Sequence, residues 1–395
     1  MGKWPNLILK KSTGFVVVLM IHAHYSASTN VQSQVPLRRV HVVTYDAGET
    51  LGLLPTASLL KENGVEVIWV PLTPWTQRLL ENAKQSRIVP LPDKIHEMPH
   101  LSDRLNTGKI DYWLKQIIAE NPKLVILGLV STLQDQLAIK CKEMGIPTIG
   151  FYDSFDPASA DSIVLQVARV VSEVWVPTES IKVRLRALGI ESVQVVGQPS
   201  VETWIRTANE VNPADVLRRQ GISPQQSVIL YAGQYGEGYR EILSSFASQV
   251  NKETASNSNL TVVFSPHPRT DGEIERNVIA DLPHNNRFMM AAPRLTTAEL
   301  ASTATVVVTW MSTVGIQTVF MGKPVIYYNF STDAFSNDLI AKGIARLATP
   351  NNFSMVLKET LAKKTDASFL RQKLIDNGYV IDSDKKIVSE ILKRL

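Results

Sequence analysis

The 395-residue chain is 44% apolar and 20% charged, which excludes a disordered or fibrous protein and leaves room for two domains that each bury a core. Its net charge of +4 comes from basic residues spread along the chain, so no Lys/Arg stripe offers a footprint for nucleic acid, although a local anion site stays open. The single cysteine, Cys141, excludes an intramolecular disulfide and a Cys-rich zinc site, and its helical neighbours Leu137 and Met144 predict a core position.

The first 36 residues stand apart. Lys10 and Lys11 precede an apolar run over 14–21, and Ser26, Ala27 and Ser28 supply small residues, which is the order of a secretory signal. The run is too short to span a bilayer, and His22 and His24 follow it. Two readings stay open: a cytoplasmic, membrane-associated protein with an N-terminal extension, or an exported one whose residues 1–28 are a signal.

From residue 39 onward, β-branched runs alternate with amphipathic stretches. Strands are predicted over 40–45, 65–70, 123–128, 147–152 and 173–176, with a helix ending at Gly64, another over 109–120, and a third carrying Leu133, Leu137, Cys141 and Met144 at helical spacing. The run over 123–128 is apolar throughout, as in a strand covered on both faces. Thr178 caps a helix with Ile181, Leu185 and Leu188 on one face and Gly189 at its end. Gly197 to Ser200 closes the first half, and the polar, turn-rich segment from there to Pro213 reads as a linker. The pattern then restarts with strands over 227–231, 260–264, 287–290, 305–309 and 324–328, and a helix over 385–395 follows. This alternation predicts an α/β protein with two doubly wound parallel sheets facing a cleft: a domain over 37–200, a second over 201–375 and a helical tail over 376–395.

Candidate site residues fall at predicted strand ends. Asp46 and Glu49 follow the first strand, and Asp153 follows the fourth; a carboxylate there can take a proton from a substrate, while Asp46 equally suits a turn or helix cap. Gly233 and Gln234 begin a glycine-containing loop that lets backbone approach a phosphate. His267 and Arg269 lie in Ser265-Pro266-His267-Pro268-Arg269, directly after a strand, and can grip phosphate oxygens. Ser312, Thr313 and Gly315 open a helix after the strand ending near Trp310. Hydroxyls and unpaired N–H groups at a helix start favour an anion, although Ser312 could also serve as a plain cap. The single cysteine leaves no Cys-rich zinc site, and no metal is expected.

In this order the motifs resemble the GT-B glycosyltransferase-like superfamily, including lipid-A-disaccharide synthases, UDP-N-acetylglucosamine 2-epimerases and bacterial polysaccharide glycosyltransferases. The resemblance runs over most of 39–375 and rests on the stretch from Thr305 to Tyr328 with its Gly322-Lys323-Pro324 exit, on the His-Pro pair, and on Ala47-Gly48-Glu49. It implies two Rossmann-like domains, donor phosphates on Ser312, Thr313, Gly315, His267, Arg269 and the Gly233-Gln234 loop, and an acceptor facing Asp46 and Glu49. Many of these proteins use a Glu to grip the nucleotide ribose where Gln317 stands here; the amide can bond a hydroxyl without charge assistance. The implied activity is metal- and cofactor-independent transfer of a sugar from a nucleotide-sugar donor to a glycan or lipid hydroxyl in bacterial surface synthesis, with peripheral membrane contact. Two alternatives remain, a nucleotide-amino-sugar epimerase or hydrolase and a non-catalytic GT-B binding module.

Overall fold

Runs of valine, isoleucine and leucine that are too apolar to leave a face in water set the architecture. The computed structural model describes residues 38–92, 107–155, 162–268, 270–283, 285–331, 338–363 and 366–395. The signal-like segment and Arg269 lie outside the described residues.

Strands β1 (Arg38–Thr44), β2 (Val65–Pro71), β3 (Leu124–Gly128), β4 (Thr148–Phe151), β5 (Glu173–Val176) and β6 (Val193–Val195) form a sheet in the order β2-β1-β3-β4-β5-β6. A second sheet has the order β12-β11-β10-β7-β8-β9, from β7 (Ser227–Ala232), β8 (Leu260–Ser265), β9 (Phe288–Met290), β10 (Val306–Thr309), β11 (Val325–Tyr328) and β12 (Arg346–Ala348). Every pairing in both sheets is parallel. Helices therefore cover both faces, and β3 is buried at each position. One face of the first sheet packs Val43, Val125 and Leu127 against Trp113, Leu133 and Leu137, while the other packs Val42, Ile126 and Trp69 against Leu53, Leu60 and Leu80. The result is an α/β fold of two Rossmann-like sheets, the GT-B type.

Strand order reverses between β1 and β3 in the first sheet and between β7 and β10 in the second. At such a reversal the chain departs to opposite sides, and a crevice opens beyond the strand C-termini. Asp46, Gly233 and the Ser312 turn follow β1, β7 and β10, so the topology alone brings these segments to the crevices.

The structure departs from the sequence expectation in several places. The stretch read as a linker is mostly the helix Ser200–Glu210, which buries Val201 and Trp204, with Ile205 and Ala208 packed beside them. Their spacing is helical, and the polar residues between them obscured it. The short strands β6 and β12 lie at sheet edges and were not predicted. Cys141 is buried as predicted, with its thiol pushed up to about 11 by that burial, whereas Met144 ends the helix exposed. The helix Ser383–Leu392 returns to the first sheet and places Ile387, Val388 and Ile391 among Val40, Trp69 and Trp175.

His41 sits inside β1, fully buried, with neither ring nitrogen hydrogen-bonded. Burial first, then the positive charges of Arg39 and Arg87, lower its pKa to about 4. An unfolded chain binds this proton near pH 6.5 and the folded one only near 4, so the native state loses stability as pH falls through that window, by on the order of 3 kcal/mol at most. His41→Leu should flatten the decline between pH 6.5 and 4 in denaturant titrations; an unchanged slope would mean that the imidazole is not the group responsible. Ile387→Ala should destabilise the fold by about 3 kcal/mol, read as a lowered melting temperature, because it opens a cavity against the first sheet.

Candidate active site

The chain leaves β1 through Tyr45 and Asp46 into the helix Ala47–Leu53. Asp46 is its N-cap and accepts from the backbone N–H of Ala47, and Glu49 reciprocates, forming a capping box. Glu49 is then swallowed by the fold. Its Oε2 accepts from the Tyr45 N–H at 2.9 Å and from the Gln134 amide at 2.8 Å, while its carboxyl fills the space beside Gly128 at the end of β3. Any side chain at 128 would collide with it. Burial, then the negative charges of Asp153 and Asp46, raise the Glu49 pKa to about 8 against the opposing Tyr45 and Gln134 hydrogen bonds, so this carboxyl is largely neutral at neutral pH.

Asp153 follows β4, and its carboxyl lies over Gly48. A Cβ added to Gly48 would stand 1.8 Å from Asp153 Oδ2. The glycine is thus needed for space, and it lets a carboxylate rest on the first turn of the helix that Asp46 caps.

On the opposite side, Gly233 ends β7 with its N–H on the Ser265 carbonyl at 2.8 Å. A Cβ there would meet Glu275 Oε1 at 2.7 Å and the His267 backbone nitrogen at 3.0 Å, so only glycine lets the β7 and β8 ends meet this closely. Glu275 itself is buried and accepts a 2.6 Å hydrogen bond from the Tyr239 hydroxyl. The His267 ring packs against Tyr235 with centroids 4.6 Å apart. After β10, the Ser312 hydroxyl accepts from the Val314 N–H at 3.2 Å and its carbonyl from the Gly315 N–H at 3.1 Å. Two of the N–H groups expected to await an anion are therefore already bonded to Ser312. The segment 291–296 completes this wall. The Gln220 amide bridges the Met290 carbonyl and the Ala292 N–H at 2.8 and 2.7 Å, and Arg219 holds the carbonyl of Arg294, whose φ is +69°.

These walls enclose a cavity of about 910 Å³, within the range of sites for a whole small molecule. Among the predicted site residues, Asp153, Gly233, His267, Ser312, Thr313 and Gln317 line it. Asp46 and Glu49 stand behind the Gly48 surface, Gly315 packs over the Tyr327 ring, and Gln234 follows Gly233 outside the lining. Residues not singled out from sequence also contribute, notably Gln198, Ser200, Arg206 and Arg294. Gln198 and Ser200 lie in the polar stretch that drew no site reading from sequence, and the two arginines belong to no motif. Among the described lining residues the charged groups are two guanidiniums and one carboxylate, with His267 beside them, which favours an anionic ligand with its negative charge directed away from Asp153.

Two parallel sheets with their crevices joined in one such cavity define a GT-B-type α/β protein. The chain belongs to the UDP-N-acetylglucosamine 2-epimerase family, whose model matches residues 150–385. No curated protein sequence matches it. Its fold is similar to that of UDP-GlcNAc 2-epimerase from Neisseria meningitidis bound to UDP-GlcNAc, at TM-score 0.69 and 14% identity over 90% of this chain and 100% of that one. It is also similar to the UDP-GlcNAc 2-epimerase of Methanocaldococcus jannaschii, at TM-score 0.67 and 16% identity over 90% of this chain and 99% of the other. The S. aureus protein MnaA in a structure with UDP gives TM-score 0.69 and 14% identity over 91% and 98% of the two chains. The family match overturns the expected glycosyltransferase activity, and with it the glycan or lipid acceptor. The motifs that suggested transfer belong to the fold that transferases and epimerases share. No described helix is long and apolar enough to cross a membrane.

Glu49 supplies a test of this electrostatic arrangement. Its folded pKa of about 8 exceeds the ordinary 4.5, so the stability it contributes is present below 4.5 and lost as pH rises through about 8. Glu49→Gln should melt above the native chain at pH 9 and close to it at pH 4. A variant that melts lower at pH 9 would show that the ionised carboxylate is welcome in this pocket.

Proposed function

We propose that the chain inverts the amino-bearing C2 carbon of a UDP-N-acetylglucosamine-type nucleotide sugar. The observation that carries this reading is the two-sided cavity, with the Asp153 carboxylate on one wall and His267, Ser312 and Thr313 on the other. The diphosphate would bond to the hydroxyls and imidazole of the second wall, with Arg294 contributing charge, and Gln317 would meet a ribose hydroxyl. Arg269 is a further phosphate ligand in this proposal by virtue of its place in the sequence. Gly233 and Gly315 serve by close packing, and Gln234 by continuing the Gly233 loop. This pose directs the sugar toward Asp153.

Inversion at C2 needs the hydrogen on that carbon to leave as a proton from one face, its bonding pair forming a C1=C2 double bond as the C1–O bond to UDP breaks. UDP then re-adds at C1 as a proton returns to C2 from the other face, so the product is an isomer with no net change in atoms. Asp153 is the candidate base, because it is the carboxylate in the described lining. Asp46 and Glu49 act from behind it. Asp46 fixes the helix that carries Gly48, and a mainly neutral Glu49 spares Asp153 a second buried negative charge. The fold's likeness to a structure in complex with UDP-GlcNAc and UDP supports a nucleotide sugar as the ligand.

Incubation of the purified chain with UDP-GlcNAc in heavy water, followed by proton NMR, should give the C2 isomer with deuterium at C2. Asp153→Asn should slow this conversion by about 10²–10⁴-fold while UDP still binds. Gly48→Ala, which occupies the space of the Asp153 carboxyl, should do nearly the same in a folded protein. Full activity in Asp153→Asn would remove the residue from the chemistry, and absence of any isomer from the native chain would sink the reading.

A further inference from the structure

The two walls of the cavity are joined by a chain of hydrogen bonds in which buried side chains and backbone groups both take part. Gln317, on the helix Val314–Phe320, donates from Nε2 to the Ser200 hydroxyl at 2.8 Å. The Ser200 backbone N–H donates to Gln198 Oε1 at 3.0 Å, and Gln198 Nε2 donates to the backbone carbonyl of Asp153 at 3.4 Å. The path starts beside the proposed nucleotide site and ends on the residue proposed as base, and the last link is the longest. Gln198, Ser200 and Gln317 are at most 8% exposed. Polar groups so deeply buried lose heavily if their partners are removed, which keeps such a path intact.

The backbone is shaped to place Gln198 here. Gly197 turns at φ +87°, and a Cβ on it would strike Ser383 and Val380, so the turn is pinned from outside by the approach to the last helix. From inside, the helix that carries Gly48 presents Gly52, whose Cβ would lie 2.9 Å from the Phe151 ring and 3.1 Å from Gln198 Nε2. The amide is thus wedged between that helix and the end of β4.

We infer that Gln198 is a positioning residue for the reaction proposed above, acting with Ser200 and Gln317 to hold Asp153 in register with the bound nucleotide. The inference rests on Asp153 as the base. Neither Gln198 nor Ser200 needs to touch the reacting atoms. Their effect is on where the carboxylate stands, and small misplacements of a catalytic group are costly in rate.

The test compares the native chain with Gln198→Met, Ser200→Ala and Ser200→Thr. Three quantities are read: UDP affinity by calorimetry, kcat for UDP-GlcNAc isomerisation, and amide exchange of the peptide over 148–155 without ligand. Gln198→Met and Ser200→Ala should lower kcat about tenfold or more, hold the UDP Kd within about threefold, and speed exchange at the end of β4. Ser200→Thr keeps the hydroxyl and should recover most of kcat. An unchanged kcat in both disrupted variants overturns the inference, and so does a loss of kcat matched by an equal loss of UDP affinity. If the native chain leaves UDP-GlcNAc untouched, the epimerase reading fails. That outcome overturns the inference as well, whereas an active native chain with unaffected variants overturns the inference alone.

Discussion

Parallel pairing is the constraint on which the rest depends. Parallel strands cannot be joined by tight hairpins, so each is followed by a helical crossover, and all strands of a sheet deliver their C-terminal ends to one edge. Two such sheets with reversal points at β1/β3 and β7/β10 gather loops from distant parts of the chain into one cavity. Asp153, Gly233 and Ser312 lie far apart in sequence and share it because of topology. No local interaction between them is required, which explains how a fold can persist at about 15% identity.

Once the strand ends converge, the cavity is shaped by missing side chains as much as by those present. Gly128 accommodates the Glu49 carboxyl, Gly48 accommodates Asp153, and Gly233 lets the β7 and β8 ends close on Glu275. In each case a carboxyl group takes the volume that a Cβ would have claimed. For Glu49 this packing raises the energy of ionisation. Glu49 stays mainly protonated, with its Oε2 held by Tyr45 and Gln134. Asp153 is left at the cavity wall, where a ligand or solvent can reach it.

Sequence reading captured the central strands well, because β3, β7 and β10 are apolar runs of strand length with little competing pattern. It lost β6 and β12, where three residues carry too little periodicity to register. The helix Ser200–Glu210 is present in the spacing of Val201, Trp204, Ile205 and Ala208, but the polar residues between them mask that period. At the site, the spacing of Asp46 and Glu49 allowed a capping role, while the burial of Glu49 was invisible because it is created by Gly128 and Gln134, brought near only by folding. Arg206 and Arg294 reach the cavity from helix and loop positions with no recognisable surroundings. The chemistry was misread for a related reason: strand-turn-helix motifs describe how a nucleotide is held, and one way of holding it serves several reactions.

The return of the helix Ser383–Leu392 to the first sheet bears on how the chain is made. Ile387, Val388 and Ile391 cover Val40, Trp69 and Trp175, so the half synthesised first keeps part of its apolar surface open until the last helix leaves the ribosome. The second sheet, bounded by residues 227 and 348, can close earlier. Order of emergence and order of completion are therefore reversed for the two sheets, and the first sheet spends longer exposed to aggregation or to chaperones.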